Sequence, residues 1–348
     1  MDVRLIPLIR PTFVAAALML LGACATPGRS PEAGAGATAR TPLRIRVLLD
    51  TDANNEVDDQ HAIAYMLFSG DAFEIEGITV NRTRGGGDVE MQAREAERIV
   101  RLAGLERRYA VIRGANGSFA EIAPHMQQPG FDGAAAVDLI IRQAHAPGAQ
   151  PLVLLPVGKL TNIALALKKD PSIASRVRVV WLGSNYPEPG EYNQENDEGA
   201  LQYILDSDVA FEIALVRWGK PSGTAAVRVS LAEIRANMPG KGPRAGEAVV
   251  GRNGGQFFTF GDYSVNLFEN VELNGTPPAR ALFDMAAVAI VKNPGWARAV
   301  RIPAPRLVDG KWVERPANSR TVVLWENFDR AAIMSDFYAT MDRPVLAR

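Results

Sequence analysis

The chain has 348 residues, 47% of them hydrophobic, with 38 Lys and Arg against 39 Asp and Glu. That length and apolar content allow a sizeable core in one large domain, and the near-neutral balance gives no reason to expect nucleic acid as a partner. Behind the N-terminus no apolar run reaches the roughly 18 residues of a membrane span.

The N-terminus reads differently. "MDVRLIPLIRPTFVAAALMLLGACATPG" carries basic Arg4 and Arg10, then an apolar stretch centred on Phe13 to Leu21, then small residues, which is the pattern of a secretory signal. "LGAC", ending at Cys24, resembles a bacterial lipobox, so residues 1–24 are expected to be a lipoprotein signal with Cys24 as the lipidated residue. An ordinary cleaved signal with an incidental cysteine is the alternative. Cys24 is the only cysteine, which excludes an internal disulfide and a thiolate zinc cluster. Residues 25–43, rich in Pro, Gly and Ala, read as a linker that holds the domain of residues 44–348 off a membrane. Ala25 is not aspartate; by resemblance to proteobacterial lipoproteins this favours the outer membrane, facing the periplasm.

From Leu43 the organisation is α/β. "LRIRVLLD" is strand-like, "DDQHAIAYMLFSG" has helical apolar spacing, "FEIEGITV" is a strand and "VEMQAREAERIVRLAGL" an amphipathic helix. "YAVIRGA" and "PLVLLPVG" are further strands; the second is followed by the helix "LTNIALALKKDP", and "RVRVVWLGS" is another buried strand. The alternation implies a mostly parallel, doubly wound sheet with helices on both faces. Ligands of such sheets bind beyond the carboxyl ends of the strands.

That rule locates "LLDTDANNEVDDQHAIAYMLF". Asp50 and Asp52 fall at the end of the first strand, and Asp58 and Asp59 at the start of the next helix, where the macrodipole favours negative charge. Asp58 as a plain helix cap, with the others solvated in a loop, is a sufficient explanation of that stretch alone. Clustered carboxylates repel, however, and a hard cation relieves the repulsion; an all-oxygen set suits Ca²⁺, whereas zinc wants His or Cys.

The same residues resemble the N-terminal signature of the inosine-uridine preferring nucleoside hydrolase family, Asp-x-Asp-Pro-Gly-x-Asp-Asp. Asp50, Asp52, Asp58 and Asp59 fit it, while "ANNEV" replaces Pro-Gly-x and lengthens the loop by two residues. "GKLTNIALALKKDPSIASRVRVVWLGS" resembles the Gly-Pro-Leu-Thr-Asn block, with Lys159 in place of proline. "GEYNQENDEGALQYIL" resembles the segment whose Glu-Phe-Asn holds ribose, and "FDMAAVAIVKNP" the late helix that supplies a calcium carboxylate. The resemblance runs from about Arg44 to about Met341 and is weakest between Lys220 and Pro278, which reads either as part of the main body or as an inserted subdomain over the pocket. In the second case its "FFTFGDY" run is where base recognition is expected.

The resemblance implies hydrolysis of a nucleoside N-glycosidic bond by calcium-activated water, in a homo-oligomer. It gives Asp52 as general base and calcium ligand, with Asp59, Asp284 and the Thr161 carbonyl completing the ligands. Asp58, Asn81, Asn185, Glu191 and Asn193 bind ribose. Read without it, Thr161 is a helix N-terminal hydroxyl, and Glu191 and Asn193 lie in a polar loop. Asp284 heads the apolar run "MAAVAIV", where an unpaired buried carboxylate is costly, though an N-cap accounts for it too.

Many family members have a histidine just before the late aspartate, placed to protonate the departing base. Here that residue is Phe283, which stacks but donates no proton. Of the three histidines, His61 lies on a helix and reads as a supporting or surface residue. His145 lies at a helix end, and His125 in a loop resembling one that lines the family's base pocket is the candidate acid. Stacking against Phe283, Tyr192, Trp181 or a residue of "FFTFGDYSVNLF" is the alternative. A non-catalytic calcium-dependent lipoprotein that binds a ribosyl or polyol ligand, and a hydrolase for another glycoside, fit the same residues.

Overall fold

Side-chain alternation along the strands sets the layers of the structure, a computed structural model that describes residues 43–348. Cys24, the signal-like segment and the linker through residue 42 lie outside the described residues. Along β1 (Ile45–Thr51), Val47 and Leu49 enter one hydrophobic core and Leu48 the other. In the strands Leu152–Pro156 and Val177–Gly183, Leu155 and Leu182 likewise face the first core, and Leu154 and Trp181 the second. Strands buried on both faces need this continuous apolar run, which is why they read as unbroken hydrophobic stretches.

The strands β1, β2 (Phe73–Val80), β3 (Val111–Arg113), β4 (Leu152–Pro156), β5 (Val177–Gly183), β6 (Ala210–Leu215), β7 (Arg298–Pro303) and β8 (Thr321–Glu326) form one sheet. Its order is β7-β8-β6-β5-β4-β1-β2-β3. Neighbours are parallel except the edge strand β7, which runs antiparallel to β8. The expected doubly wound, mostly parallel architecture is what the chain forms.

Helices cover both faces. The first core packs α1 (Asp58–Leu67), α2 (Val89–Leu102), the short helix Leu231–Asn237 and three later helices; the second packs the short helix Phe119–Ile122, α3 (Ala134–His145), α4 (Thr161–Lys169) and one later helix. Beyond them come α5 (Tyr192–Asn196), α6 (Glu198–Asp206), α7 (Phe260–Glu269), α8 (Phe283–Lys292) and α9 (Arg330–Asp342). Of these, α6 belongs to the second core and α7, α8 and α9 to the first. Every residue of α1 is buried, because α8 and α9 lie over the face that a surface helix would expose. Among the described residues no helix is long and apolar enough to cross a membrane.

The segment between Lys220 and Pro278 is part of the main body. Val227, Val229, Ile234, Met238, Phe260, Tyr263 and Leu267 are buried in the same core as α1, so the chain gains apolar burial by folding this stretch back rather than raising it over the pocket.

The direction of the crossovers reverses between β1 and β4. From β1 the chain crosses through α1 to β2 on one side, and from β4 through α4 to β5 on the other. The crevice at such a reversal opens between the carboxyl ends of the two strands, here Asp50 to Asp52 and Pro156 to Gly158.

Candidate active site

Hydrogen bonds lock the two strand ends together. The backbone N–H of Val157 donates to the Asp50 carbonyl at 2.8 Å. The Asp50 side chain, fully buried, accepts from Thr79 Oγ1 at 2.8 Å, Asn162 Nδ2 at 2.9 Å and Asn81 Nδ2 at 3.2 Å. Burial lifts its pKa to about 6 against these donors. Asp50 therefore braces β1, β2 and α4 and does not line the cavity. Gly158 must be glycine: a Cβ there would stand 2.7 Å from Asp52 Oδ1 and 3.1 Å from both Nδ2 and Oδ1 of Asn81.

Beyond the strand ends lies a cavity of about 330 Å³, within the roughly 300–1,000 Å³ of small-molecule sites. Asp52, Asp58, Asp59 and Asp284 line it. Asp52 directly follows β1, Asp58 and Asp59 open α1, and Asp284 lies in the first turn of α8, so two helix N-termini and one strand end converge. Carboxylate oxygens of Asp58, Asp59 and Asp284 lie within 4.8 Å of one another, all buried. Asp52 stands beside this group, its Oδ2 accepting from Thr83 Oγ1. Asp59 Oδ1 accepts from Thr51 Oγ1 at 2.5 Å.

These charges have little to balance them. Burial raises Asp52 to about 7, opposed by the Thr83 hydroxyl and reinforced by Asp58 and Asp50. Burial likewise raises Asp58 to about 7, with Glu56 adding to the rise and Arg280 opposing it. Asp59 and Asp284 go well above the carboxylate range, through burial and then through nearby charge: Asp52 and Asp58 act on Asp59, and Asp58, Asp59 and Asp52 on Asp284. Four buried carboxylates with only hydroxyl and backbone donors are the all-oxygen setting of a hard divalent cation.

Of the ribose candidates, Asn185, Glu191 and Asn193 line the cavity with Asp58. Glu191 is the N-cap of α5: its carboxylate accepts from Asn193 N and Gln194 N at 3.0 Å and from Ser184 N at 2.9 Å. Asn193 Nδ2 donates to Val157 O at 2.7 Å and Leu182 O at 3.2 Å. Asn185 accepts from Trp218 N at 2.9 Å and donates to Gly190 O, so it also braces two loops.

Other expected residues fall elsewhere. Asn81 does not line the cavity; it lies under it, tied to Asp50. Thr161 is also outside the lining, since it starts α4, whose carbonyls point along the helix axis, and its hydroxyl donates to Asp197 Oδ2 at 2.5 Å. The residue of that block that reaches the cavity is Val157, four positions earlier. His125 is exposed on a 3-10 turn and is not among the lining residues. His145 is exposed and pairs with Asp170 at 2.7 Å.

His61 is wholly buried and held neutral, its pKa lowered to about 4 by burial, with Nδ1 donating to Val57 O at 2.6 Å and Nε2 accepting from Ser264 Oγ at 2.7 Å. It is neither a surface residue nor part of the cavity. Trp181 is a core residue whose Nε1 donates to Gly158 O at 2.9 Å, and "FFTFGDY" packs around α7 without reaching the cavity.

The family model described as inosine-uridine preferring nucleoside hydrolase matches residues 47–343. The chain belongs to that family. It is 26% identical over 286 residues to the inosine-uridine preferring nucleoside hydrolase of Crithidia fasciculata, covering 76% of this chain and 84% of that one. It is 28% identical over 187 residues to the non-specific ribonucleoside hydrolase RihC of Klebsiella pneumoniae, covering 47% and 59%. The fold is shared with a solved plant nucleoside hydrolase, at TM-score 0.65 and 18% identity over 86% of this chain and 99% of that one. It is shared too with an inosine-guanosine nucleoside hydrolase, at TM-score 0.64 and 15% identity over 87% and 100%.

As a nucleoside hydrolase the protein is a glycosidase acting on N-ribosyl bonds, and the family is metal-dependent, in keeping with the acidic cluster. Several lining residues of this nucleoside hydrolase carry no signal in the motifs. Trp218, in the turn after β6, is 56% exposed and stacks on Phe283 with ring centroids 5.7 Å apart and planes at 28°. The lengthened loop contributes Asn55 and Glu56. It rests on the glycine run behind it: Asn54 Nδ2 donates to Gly86 O at 2.7 Å, and Gly86 has φ of 73° with no room for a Cβ beside Asn54. Arg280 completes the wall and pairs with Glu56.

Proposed function

We propose that the protein is a calcium-dependent ribonucleoside hydrolase that releases free base and ribose, with Asp52 as general base. The observation that carries this reading is the meeting of Asp52, Asp58, Asp59 and Asp284 on the floor of one cavity with Glu191 and Asn193 on its wall. The donor set fits the ion, since the cluster offers oxygens only, with three carboxylates within 4.8 Å; Val157 also lines the cavity, its carbonyl accepting from Asn193 Nδ2 at 2.7 Å. Bound there, calcium would orient a water and lower its pKa.

The chain's own residues supply the rest. Asp52 takes the proton from the attacking water, and Thr83 holds that carboxylate in place. Asp58, Asn193 and Glu191 orient the sugar hydroxyls so that C1′ faces the water, and fixing the two partners is a large share of the rate gain. The Trp218 and Phe283 rings offer a flat apolar wall to the base. We further propose that Cys24 carries a lipid and holds the enzyme at the bacterial envelope, facing the periplasm; the "LGAC" stretch supports that placement.

The test is release of free ribose from a panel of purine and pyrimidine ribonucleosides by purified protein lacking residues 1–24. Ribose from at least one nucleoside, abolished by a calcium chelator and restored by calcium, is the expected result. Bound calcium without ribose release from any of them would overturn the hydrolase reading in favour of a ligand-binding protein.

A further inference from the structure

A departing base needs its developing negative charge stabilised, and neither Phe283 nor Tyr192 does this. Phe283 has no polar atom. The Tyr192 hydroxyl is already engaged by Gly85 N at 2.6 Å, Asn55 and Thr83 at 3.3 Å, and burial raises its pKa, which makes it a poor acid. Among the described residues that line the cavity there are six carboxylates and one cation, Arg280.

Arg280 is held rigidly and close to the chemistry. It lies on the short strand Ala279–Ala281, paired antiparallel with Arg228–Ser230, and that strand leads directly into Phe283 and Asp284. Its side chain is only 12% exposed. One edge meets the Glu56 carboxylate and Nη1 donates to the Glu272 carbonyl at 3.3 Å. A guanidinium carries five N–H donors, so these contacts leave others for a ligand.

We propose that Arg280 is the leaving-group residue of this enzyme, stabilising negative charge on the departing base, and that Glu56 of the lengthened loop is the positioning residue that aims it. The inference rests on the hydrolase reading above. The water oxygen bonds to C1′ while the C1′–N bond breaks, and its electron pair stays on the base nitrogen. One water proton goes to Asp52 and the other remains on the new sugar hydroxyl. Arg280, always protonated, donates hydrogen bonds to the base anion without giving up its proton. The anion then takes a proton from solvent, and Asp52 returns its proton to solvent. Suitable substrates are nucleosides whose base presents an acceptor, a carbonyl oxygen or ring nitrogen, towards Arg280.

The experiment compares Arg280→Gln with wild type on inosine or uridine and on p-nitrophenyl β-ribofuranoside, whose phenolate leaves readily without help. Loss of one charge-stabilising donor typically costs roughly 100-fold in kcat, so the ratio of nucleoside to nitrophenyl turnover should fall by about that factor. Arg280→Lys, which keeps the charge without the fork, should fall between the two, and Glu56→Gln should shift the ratio in the same direction by less. These two keep the test readable if Arg280→Gln does not fold. An unchanged ratio overturns the proposal, whether both activities persist or both fall together with bound calcium, since Arg280 would then be a spectator or a counter-charge for the aspartates. Wild-type protein inactive on every ribonucleoside and on the nitrophenyl riboside removes the hydrolase reading and this proposal with it.

Discussion

Asp284 and Asp58, 226 residues apart in the chain, meet at the cavity floor, where the backbone N–H of Asp284 donates to Asp58 Oδ2 at 3.4 Å. The contact joins the N-termini of α1 and α8, and with Asp59 it concentrates three carboxylates where none can be solvated.

That concentration makes stability depend on metal and pH together. Without an ion, Asp52 and Asp58 have folded-state pKa values raised to about 7, against about 3.9 in an unfolded chain. A raised carboxylate contributes stability at low pH that is lost as pH rises through its folded pKa. Chelator-treated protein should therefore melt lower at pH 8 than at pH 5.5. An ion at 100 times its Kd adds about 2.7 kcal/mol, so calcium should raise Tm at pH 8 by roughly 5 °C in a chain of this size. Differential scanning calorimetry with and without chelator at the two pH values measures this.

Thr83 tunes Asp52 through the hydroxyl it donates. That hydrogen bond favours the ionised carboxylate, so Thr83→Val should raise the Asp52 pKa. The acid limb of the kcat/KM profile should move to higher pH, with little change above the limb. A limb that stays in place would separate Thr83 from the base.

Trp218 and Phe283 should bind the base by stacking. An aromatic pair is worth about 0.5–1.5 kcal/mol beyond its buried area, so Trp218→Ala should raise KM for nucleosides several-fold while leaving calcium binding intact. Steady-state kinetics on inosine and uridine give the comparison, with the larger purine ring expected to lose more.

Cys24→Ser should move the full-length protein from the membrane fraction of the producing bacterium to the soluble one, and leave nucleoside hydrolysis unaltered. Fractionation followed by immunoblotting reads this out.

The layer architecture was legible because the apolar periodicity differs between "FEIEGITV" and "VEMQAREAERIV", and both became the elements that the pattern implies. The carboxylates were legible because four aspartates in ten residues, and one heading "MAAVAIV", are hard to place in a core without a purpose. Val157 was not, since its side chain belongs to an apolar strand end and carries no mark of a site; only the fold brings it, and not Thr161, to the cavity. His125 and Asn81 were misplaced because sequence distance from a motif does not say whether a loop turns inward. Arg280 and Trp218 were missed for a related reason: they sit in or beside the stretch where the family resemblance is weakest, and only the fold brings them to Glu56 and Phe283.

The most direct measurement is ribose release by Asp52→Asn, alongside its affinity for an uncleaved nucleoside. General-base catalysis contributes about 10²–10⁴ in rate; turnover should fall by that much while the nucleoside still binds. Full turnover by Asp52→Asn would contradict the role given to this aspartate and the mechanism built on it.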